Sequence, residues 1–418
     1  MSARDLVDEI ARRARAAAER TAQLPSDARD AALSRAASRI ESETEALIQA
    51  NRRDLEAGRR RGWAEPLLDR LTLTPERIAA MAAGLREIAA LPDPVGEITR
   101  MWTRPSGLRV GRMRIPLGVI LVIYESRPNV TADVAGLCLK TGNATILRGG
   151  SEAFHSNTAI ATLLRTAARE SGVPEDAVQL VSRTEYEVVD GLLEREDEID
   201  LVIPRGGEAL IRKVAERSRI PVIKHYKGVC HVYLDRHADP KMARDITINS
   251  KCQRVSVCNA AETLLVHEAL AGSLLPTLLM ELEGLGVEIR GCPRTLPHSA
   301  AAVPAREADW SEEFLAPILA VRVVDSMDQA IEHIRRYGSN HTEAIVTEDL
   351  RSAREFLRRV NSSCVLVNAS TRFADGYQLG LGAEVGISTT KMHWYGPMGA
   401  EGLTTQKFIV FGDGALIE

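Results

Sequence analysis

Residues 119–150 read VILVIYESRPNVTADVAGLCLKTGNATILRGG, and this stretch decides the fold class. Val119–Tyr124 and Ala144–Arg148 are short, almost unbroken apolar runs, and the second leads into Gly149-Gly150, with Ser151 placed to cap a helix. The rhythm continues through Val178–Ser182, Asp200–Pro204 and Pro221–His225, with helical stretches such as 153–170 and 207–218 between them. Apolar strands that do not alternate with polar residues belong to a parallel sheet covered on both faces. The pattern starts again over 228–370, with CHVYLD, ETLLVH, PILAVRVV, EAIVTED and SCVLVNAS. A chain of 418 residues is too long for one core, so two or three domains are expected, two of them α/β.

Upstream, residues 3–91 read as helices. Ser26 is expected to cap one long segment ending near Arg61, with Gly62 as its stop; Thr74-Pro75-Glu76 starts another and Leu91-Pro92-Asp93-Pro94 ends it. Arg59–Arg61 reads as a solvated helix end, with phosphate binding as the second reading. The Arg-rich N-terminus resembles a transit peptide in amphipathicity, but Asp5, Asp8, Glu9 and Glu19 favour a plain first helix. Residues 100–118 alternate around Pro105-Ser106-Gly107 as a β-hairpin. A lone two-stranded ribbon is marginal in water, so this one is expected to pack on something, another subunit included.

The formal net charge of −4 gives no support for a nucleic-acid or membrane surface. No apolar run approaches membrane-span length. The six cysteines follow no framework spacing and fit reduced thiols in a cytoplasmic compartment.

In parallel sheets ligands bind beyond the carboxyl ends of the strands. That rule selects Arg127, Asn129, Arg148, Gly149, Arg205, Gly206 and Gly207. No GxGxxG is present. Gly149-Gly150 and Gly206-Gly207 both stand between a strand and a helix, where glycine lets backbone approach a phosphate. A tight turn alone also needs glycine. Taken by itself, Asn129 after Pro128 is a turn residue.

Reactive chemistry points to Asn249–His267, NSKCQRVSVCNAAETLLVH. Its end is a buried strand, and loops delivered onto rigid strands carry reactive groups. Cys252 and Cys258 have no zinc spacing. Either one is a nucleophile, its thiolate favoured by Lys251 and Arg254, or both are packed as small hydrophobes. His225 and His231 read as structural, and no metal site is expected.

QRVSVCNAAETLLVH (253–267), YESRPNVTADVAGLCLKTGNATILRGG (124–150) and VNASTRFADGYQLGLGAEVGISTTKMHWYGPMGAEGLTT (367–405) closely resemble the gamma-glutamyl phosphate reductase family, a branch of the aldehyde dehydrogenase superfamily. Val255 departs from that family, which usually has proline there. The resemblance implies that Cys258 is the nucleophile and Cys252 a bystander. It gives Asn129 the role of oxyanion donor. Arg148 is implied to contact the adenosine ribose, next to Gly149. Ser151 replaces a carboxylate that would exclude a 2′-phosphate, which favours NADP(H). Gly206 and Gly207 are expected at the cofactor, and Glu313, in EFLAPILAV with Ala316 for the usual glycine, at the nicotinamide ribose. Read without the resemblance, Glu313 is a surface acid beside Glu312. Arg127 and Arg372 are candidates for the substrate α-carboxylate or phosphate, with structural ion pairing as the other account. Hydrolytic relatives carry a glutamate base that activates water. The counterpart segment here, KHYKGVCHVYLD, has no acid before Asp235.

The implied fold is aldehyde-dehydrogenase-like: two Rossmann-like parallel-sheet domains plus a small β oligomerisation element. Residues 1–99 and 119–227 would bind NADP(H), 228–370 would carry the cysteine, and 100–118 with 392–418 would oligomerise. The implied activity is reduction of L-glutamyl 5-phosphate to glutamate 5-semialdehyde, the second step of proline synthesis. The implied state is a cytoplasmic homo-oligomer, dimer or tetramer, with transient contact with the preceding glutamate kinase. The competing readings are a phosphate-independent aldehyde dehydrogenase and a non-catalytic nucleotide-binding scaffold.

Overall fold

Ser2 opens helix α1 (Ala3–Thr21) with a reciprocal cap. Its hydroxyl accepts from the Asp5 amide at 3.1 Å, and the Asp5 carboxylate accepts from the Ser2 amide at 3.0 Å. Leu6, Val7, Ile10, Ala14, Ala17 and Ala18 form the buried face at helical spacing. The expected 26–61 helix is two, α2 (Ser26–Ser42) and α3 (Thr44–Arg60), broken at Glu43. Ser26 is not the cap: Pro25 holds that position, and the Ser26 hydroxyl donates to Asp30 inside the first turn at 2.9 Å. Gly62, at φ +71°, follows the end of α3. A short α4 (Glu65–Leu71) precedes α5 (Pro75–Ala90), which Thr74 caps by accepting from the Arg77 amide.

The structure, a computed structural model, describes residues 2–183 and 185–417. The chain divides into two units. One comprises Met1–Lys224, Gly380–Gly386 and Met398–Glu418, the other His225–Leu379 and Ile387–Pro397.

In the first unit β1 (Ile98–Thr103) and β2 (Arg109–Pro116) pair antiparallel as the expected hairpin. The sheet behind it is built from β3 (Val119–Tyr124), α6 (Asn129–Lys140), β4 (Ala144–Gly149), α7 (Phe154–Glu170), β5 (Val178–Leu180), α8 (Tyr186–Leu192), β6 (Leu201–Arg205) and α9 (Glu208–Arg217). It is parallel, in the order β5-β4-β3-β6. Every residue of β3 is buried, as a strand covered on both faces requires. Pro221–His225 does not join as a strand. Only a bridge between Val222 and Val202 forms, because the next rung needs an amide at position 204, which is proline, and Pro221 has none to extend it the other way.

The second unit repeats the plan with β7 (Cys230–Leu234), α10 (Pro240–Cys252), β8 (Ala261–His267), α11 (Glu268–Gly284), β9 (Glu288–Gly291), β10 (Val303–Pro304), β11 (Ile318–Val324), α12 (Met327–Tyr337), β12 (Thr342–Val346), α13 (Leu350–Arg359) and β13 (Cys364–Val367). The sheet order is β10-β9-β11-β8-β7-β12-β13, again parallel. Alternate residues feed two cores. Val232, Leu264, Val266, Val321 and Ala344 join the one that includes Leu275 and Leu278 of α11. Tyr233, Leu265, Val324 and Ile345 join the one with Ile331 and Phe356 of α12 and α13. Each fully buried aliphatic side chain is worth roughly 1.5–3 kcal/mol, which is why these strands read as unbroken apolar runs.

The chain then forms a ribbon, β14 (Gly386–Ser388) and β15 (Gly396–Met398), and ends in β16 (Thr404–Phe411). β16 pairs antiparallel with β2, from Thr404↔Pro116 to Phe411↔Arg109. The hairpin is thus the start of a three-stranded sheet within the first unit, and Met101, Phe408, Val410 and Phe411 are exposed on it.

Candidate active site

In the first unit three strands end flush: Tyr124 is level with Gly149 on one side and with Arg205 on the other. The chain leaves β3 toward β4 and β5, then crosses to β6 on the opposite side. The order therefore reverses beside β3, where α/β sheets bind ligands. The Gly206-Gly207 turn lies there. The Glu125 carboxylate accepts from the Gly207 amide at 3.3 Å, and a Cβ on Gly206 would stand 2.4 Å from that carboxylate. A Cβ on Gly207 would meet nothing within 4 Å, and α9 begins there without a side-chain cap.

Gly149 is required by packing. A Cβ there would stand 2.1 Å from the Asn157 amide, which belongs to a buried chain of hydrogen bonds from Tyr124 through Thr131 to Asn157. Ser151 does not cap α7. It starts a separate 3-10 turn, and the amides of His155 and Ser156 are taken by Asp54 of α3, at 3.1 and 2.8 Å. Asp54 is a long-range cap that local sequence does not reveal. Arg148 and Ser151 face different spaces. Arg148 lines a small cleft with Tyr186, Asp190 and Lys213, whereas Ser151 lines a cavity of about 420 Å³ with Arg61, His155 and Arg183. Arg59–Arg61 are exposed at the end of α3, as a solvated helix end requires, and Arg61 borders this cavity.

Asn129 is the first residue of α6 and is exposed, as is Arg127. One N–H of its amide donates to Asp133, one turn on, at 2.9 Å. Desolvation pushes the Asp133 carboxyl up to about 6, against the Asn129 hydrogen bond and the charge of Arg205.

In the second unit Cys258 lies in the loop between α10 and β8, at the amino edge of the sheet. Its main chain is clamped. The Cys230 thiol donates to the Cys258 carbonyl at 3.2 Å, and a Cβ on Gly228 would stand 2.0 Å from the same oxygen. Cys252, the alternative nucleophile, is half-buried at the end of α10 against the apolar core, and burial raises its thiol. The charge of Lys251 favours the Cys252 thiolate, as the sequence implies, but burial outweighs it. Lys251 is wholly buried and bound to Glu262 at 2.6 Å. Burial lowers the lysine and pushes Glu262 up to about 7. The other Glu262 oxygen accepts from the amide of Leu315, which sits at φ +51°, and so anchors the turn that follows Glu313. Glu313 itself is half-buried, and its charge acts on Glu262 and Cys230, so it is not the surface acid that its neighbour Glu312 is.

Arg372 is tied to the cysteine loop. It donates to Gln253 at 2.8 Å and to the Asn259 side chain, whose amide donates to the Ala374 carbonyl at 3.1 Å. Burial lowers its guanidinium, opposed by Asp375 and by Cys258. His231 is buried in β7 and bound to Glu343 at 2.8 Å. His225, read from the sequence as structural, stands with Cys258 and His341 in a cluster whose donor atoms lie within 4.8 Å of one another. Burial, then the charge of His225, lowers the His341 imidazole to about 3. Residues 225, 258 and 341 are too far apart in sequence for spacing to signal this group.

The aldehyde dehydrogenase family pattern matches residues 1–290 and 297–384. The chain is 57% identical over 414 residues to gamma-glutamyl phosphate reductase of Geobacter metallireducens, covering 99% of each chain. It is 57% identical to that of Moorella thermoacetica over 404 residues, covering 97% of each. The crystal structure of gamma-glutamyl phosphate reductase from Thermotoga maritima superposes with a TM-score of 0.96 at 42% identity, over 99% of this chain and all of that one. With the two parallel sheets, the flush strand ends and the clamped cysteine, these likenesses place the chain in the aldehyde dehydrogenase family, and within it among the gamma-glutamyl phosphate reductases.

Proposed function

We propose that the chain reduces L-glutamyl 5-phosphate to L-glutamate 5-semialdehyde with release of phosphate, the second step of proline synthesis from glutamate. The observation that carries this reading over water-dependent oxidation is the segment against Cys258. Gly228 abuts the cysteine carbonyl, and the run Lys224–Gly228 offers Lys224, His225 and Lys227 but no carboxylate. Cations suit a departing phosphate, and a site that exchanges phosphate has no use for a water-activating base.

The Cys258 thiolate forms a bond to the acyl carbon, and the C–O bond to phosphate breaks with its electron pair on phosphate. The family works with a nicotinamide cofactor, which supplies the hydride when bound. Cys258 then leaves as thiolate and the aldehyde is released. The Asn129 amide and the Cys258 main-chain N–H are inferred to hold the oxyanion, which is usually a large catalytic term. Arg127 and Arg372 are inferred to bind the substrate's carboxylate or phosphate. Replacing either by alanine should raise the substrate KM, and an unchanged KM removes that residue from the binding set.

The residues present fit NADP(H). Gly206-Gly207, at the start of α9 where the Gly207 amide now meets the Glu125 carboxylate, is inferred to face the pyrophosphate. Arg148 and Gly149 would lie at the adenosine ribose and Glu313 at the nicotinamide ribose. Ser151, Arg61, His155 and Arg183 line one cavity together with Asp54, Glu152 and Glu185, and with serine rather than a carboxylate at position 151 a 2′-phosphate is inferred to pair with its arginines. A cytoplasmic homo-oligomer is inferred, with the exposed Phe408, Val410 and Phe411 of the three-stranded sheet as the surface to cover. Among the described residues no helix is long and apolar enough to cross a membrane.

The reverse reaction tests the assignment. Glutamate semialdehyde with NADP+ should yield NADPH only when phosphate is present, and Cys258→Ala should abolish it. Turnover without phosphate establishes the phosphate-independent dehydrogenase in its place.

A further inference from the structure

His225, Cys258 and His341 precede three neighbouring parallel strands, β7, β8 and β12, so the sheet itself assembles them at its amino edge. One nitrogen of each histidine and the thiol sulfur lie within 4.8 Å of one another. His225 is oriented through Nδ1, which stands 2.9 Å from the Ile387 carbonyl oxygen; that contact makes Nδ1 the donor and leaves the lone pair on Nε2. His341 is wholly buried. Its Nδ1 is 2.8 Å from the Thr342 hydroxyl, and its Nε2 has no hydrogen-bond partner. A wholly buried imidazole with one unpartnered nitrogen, clustered with a thiol and a second oriented imidazole, is a set of metal-ligating groups.

We propose that His225, Cys258 and His341 form a three-ligand site for a thiophilic divalent cation, Zn2+ in particular, and that occupancy reversibly blocks the nucleophile. Two imidazoles and one thiolate match the ligand preference of Zn2+. Bonds of about 2.0 Å to nitrogen and 2.3 Å to sulfur set ligand atoms roughly 3.3–3.5 Å apart in a tetrahedron, so from 4.8 Å the trio closes by about 1.5 Å at most. The fourth position falls to water. On binding, the Cys258 thiol loses its proton to solvent and the sulfur lone pair goes to the metal. That the metal inhibits rests on Cys258 being the nucleophile; that it binds rests on the geometry alone.

The test uses the full-length, chelator-treated protein and Co2+ as the spectroscopic probe. One equivalent should give a thiolate-to-Co2+ charge-transfer band, which Cys258→Ala should lose. His341→Phe should weaken Co2+ binding at least ten-fold. Because His341→Phe alters a buried position, the wild-type protein supplies an independent measure. One equivalent of Zn2+ should slow iodoacetamide modification of Cys258 at least ten-fold, read by mass spectrometry, and a chelator should restore it. A charge-transfer band that survives in Cys258→Ala, or Cys258 alkylation unchanged by Zn2+, overturns the site. Metal binding without loss of reductase activity overturns the inhibition and leaves the binding.

Discussion

The carbonyl oxygen of Cys258 lies where the side chain of residue 228 would begin, 2.0 Å from a Cβ built on Gly228. The obstacle is backbone, so neither partner yields by a rotamer change. Gly228→Ala should therefore displace the cysteine loop. Reductase turnover is expected to fall at least a hundred-fold, because small misplacements of a nucleophile are costly. Urea denaturation should show a loss of about 1–3 kcal/mol from overpacking. Unchanged turnover would mean that the loop shifts without consequence.

Lys251 and Glu262 are both wholly buried and bound at 2.6 Å. Lys251→Met leaves a buried carboxylate without its cation and should cost about 3–5 kcal/mol. Lys251→Met with Glu262→Met removes both charges and should recover most of that stability. Turnover should not recover with it, since Glu262 also holds the Leu315 amide. Denaturant melts of the two variants, with kcat for each, separate the two effects.

A carboxylate at position 151 would add a fourth negative charge to a cavity already lined by Asp54, Glu152 and Glu185 beside Arg61, His155 and Arg183. Ser151→Glu should raise the KM for NADPH about ten-fold, the scale of one like-charge contact at a partly solvated site. The KM for NADH should stay within two-fold. An equal change for both cofactors would place the 2′-phosphate elsewhere.

Desolvation raises Asp133 from its ordinary 3.8 to about 6, so the folded state binds that proton more tightly than the unfolded chain. The stability it contributes is complete below about pH 4 and is lost as the pH rises through 6. Asp133→Asn keeps an acceptor for Asn129 and removes the charge. Its melting temperature should exceed that of the parent at pH 7.5, with the gap shrinking toward pH 4.5. A gap independent of pH would mean that Asp133 is not desolvated.

Much of this was legible locally. The apolar runs at 119–124 and 261–267 mark strands because a sheet buried on both faces has no use for polar alternation. Thr74-Pro75 marks a helix start because its cap lies within one turn. The segment CNAAETLLVH marks a thiol ahead of a rigid strand. Where local signals misled, a partner distant in sequence had displaced them. Ser151 reads as a cap, yet Asp54 supplies it from α3. Lys251 reads as a cation for a thiolate, yet its ion pair is with Glu262, and burial outweighs its pull on Cys252.

The sequence by itself determined the fold class and the family, and it offered Cys258 as the candidate nucleophile, since hydrophobic period and contiguous motif are properties of neighbours along the chain. Only the tertiary structure decided which groups surround that nucleophile. The 225–228 segment and His341 meet the Cys258 loop because parallel strands place residues remote in sequence side by side at one edge of a sheet, and Arg372 joins them from the segment after β13.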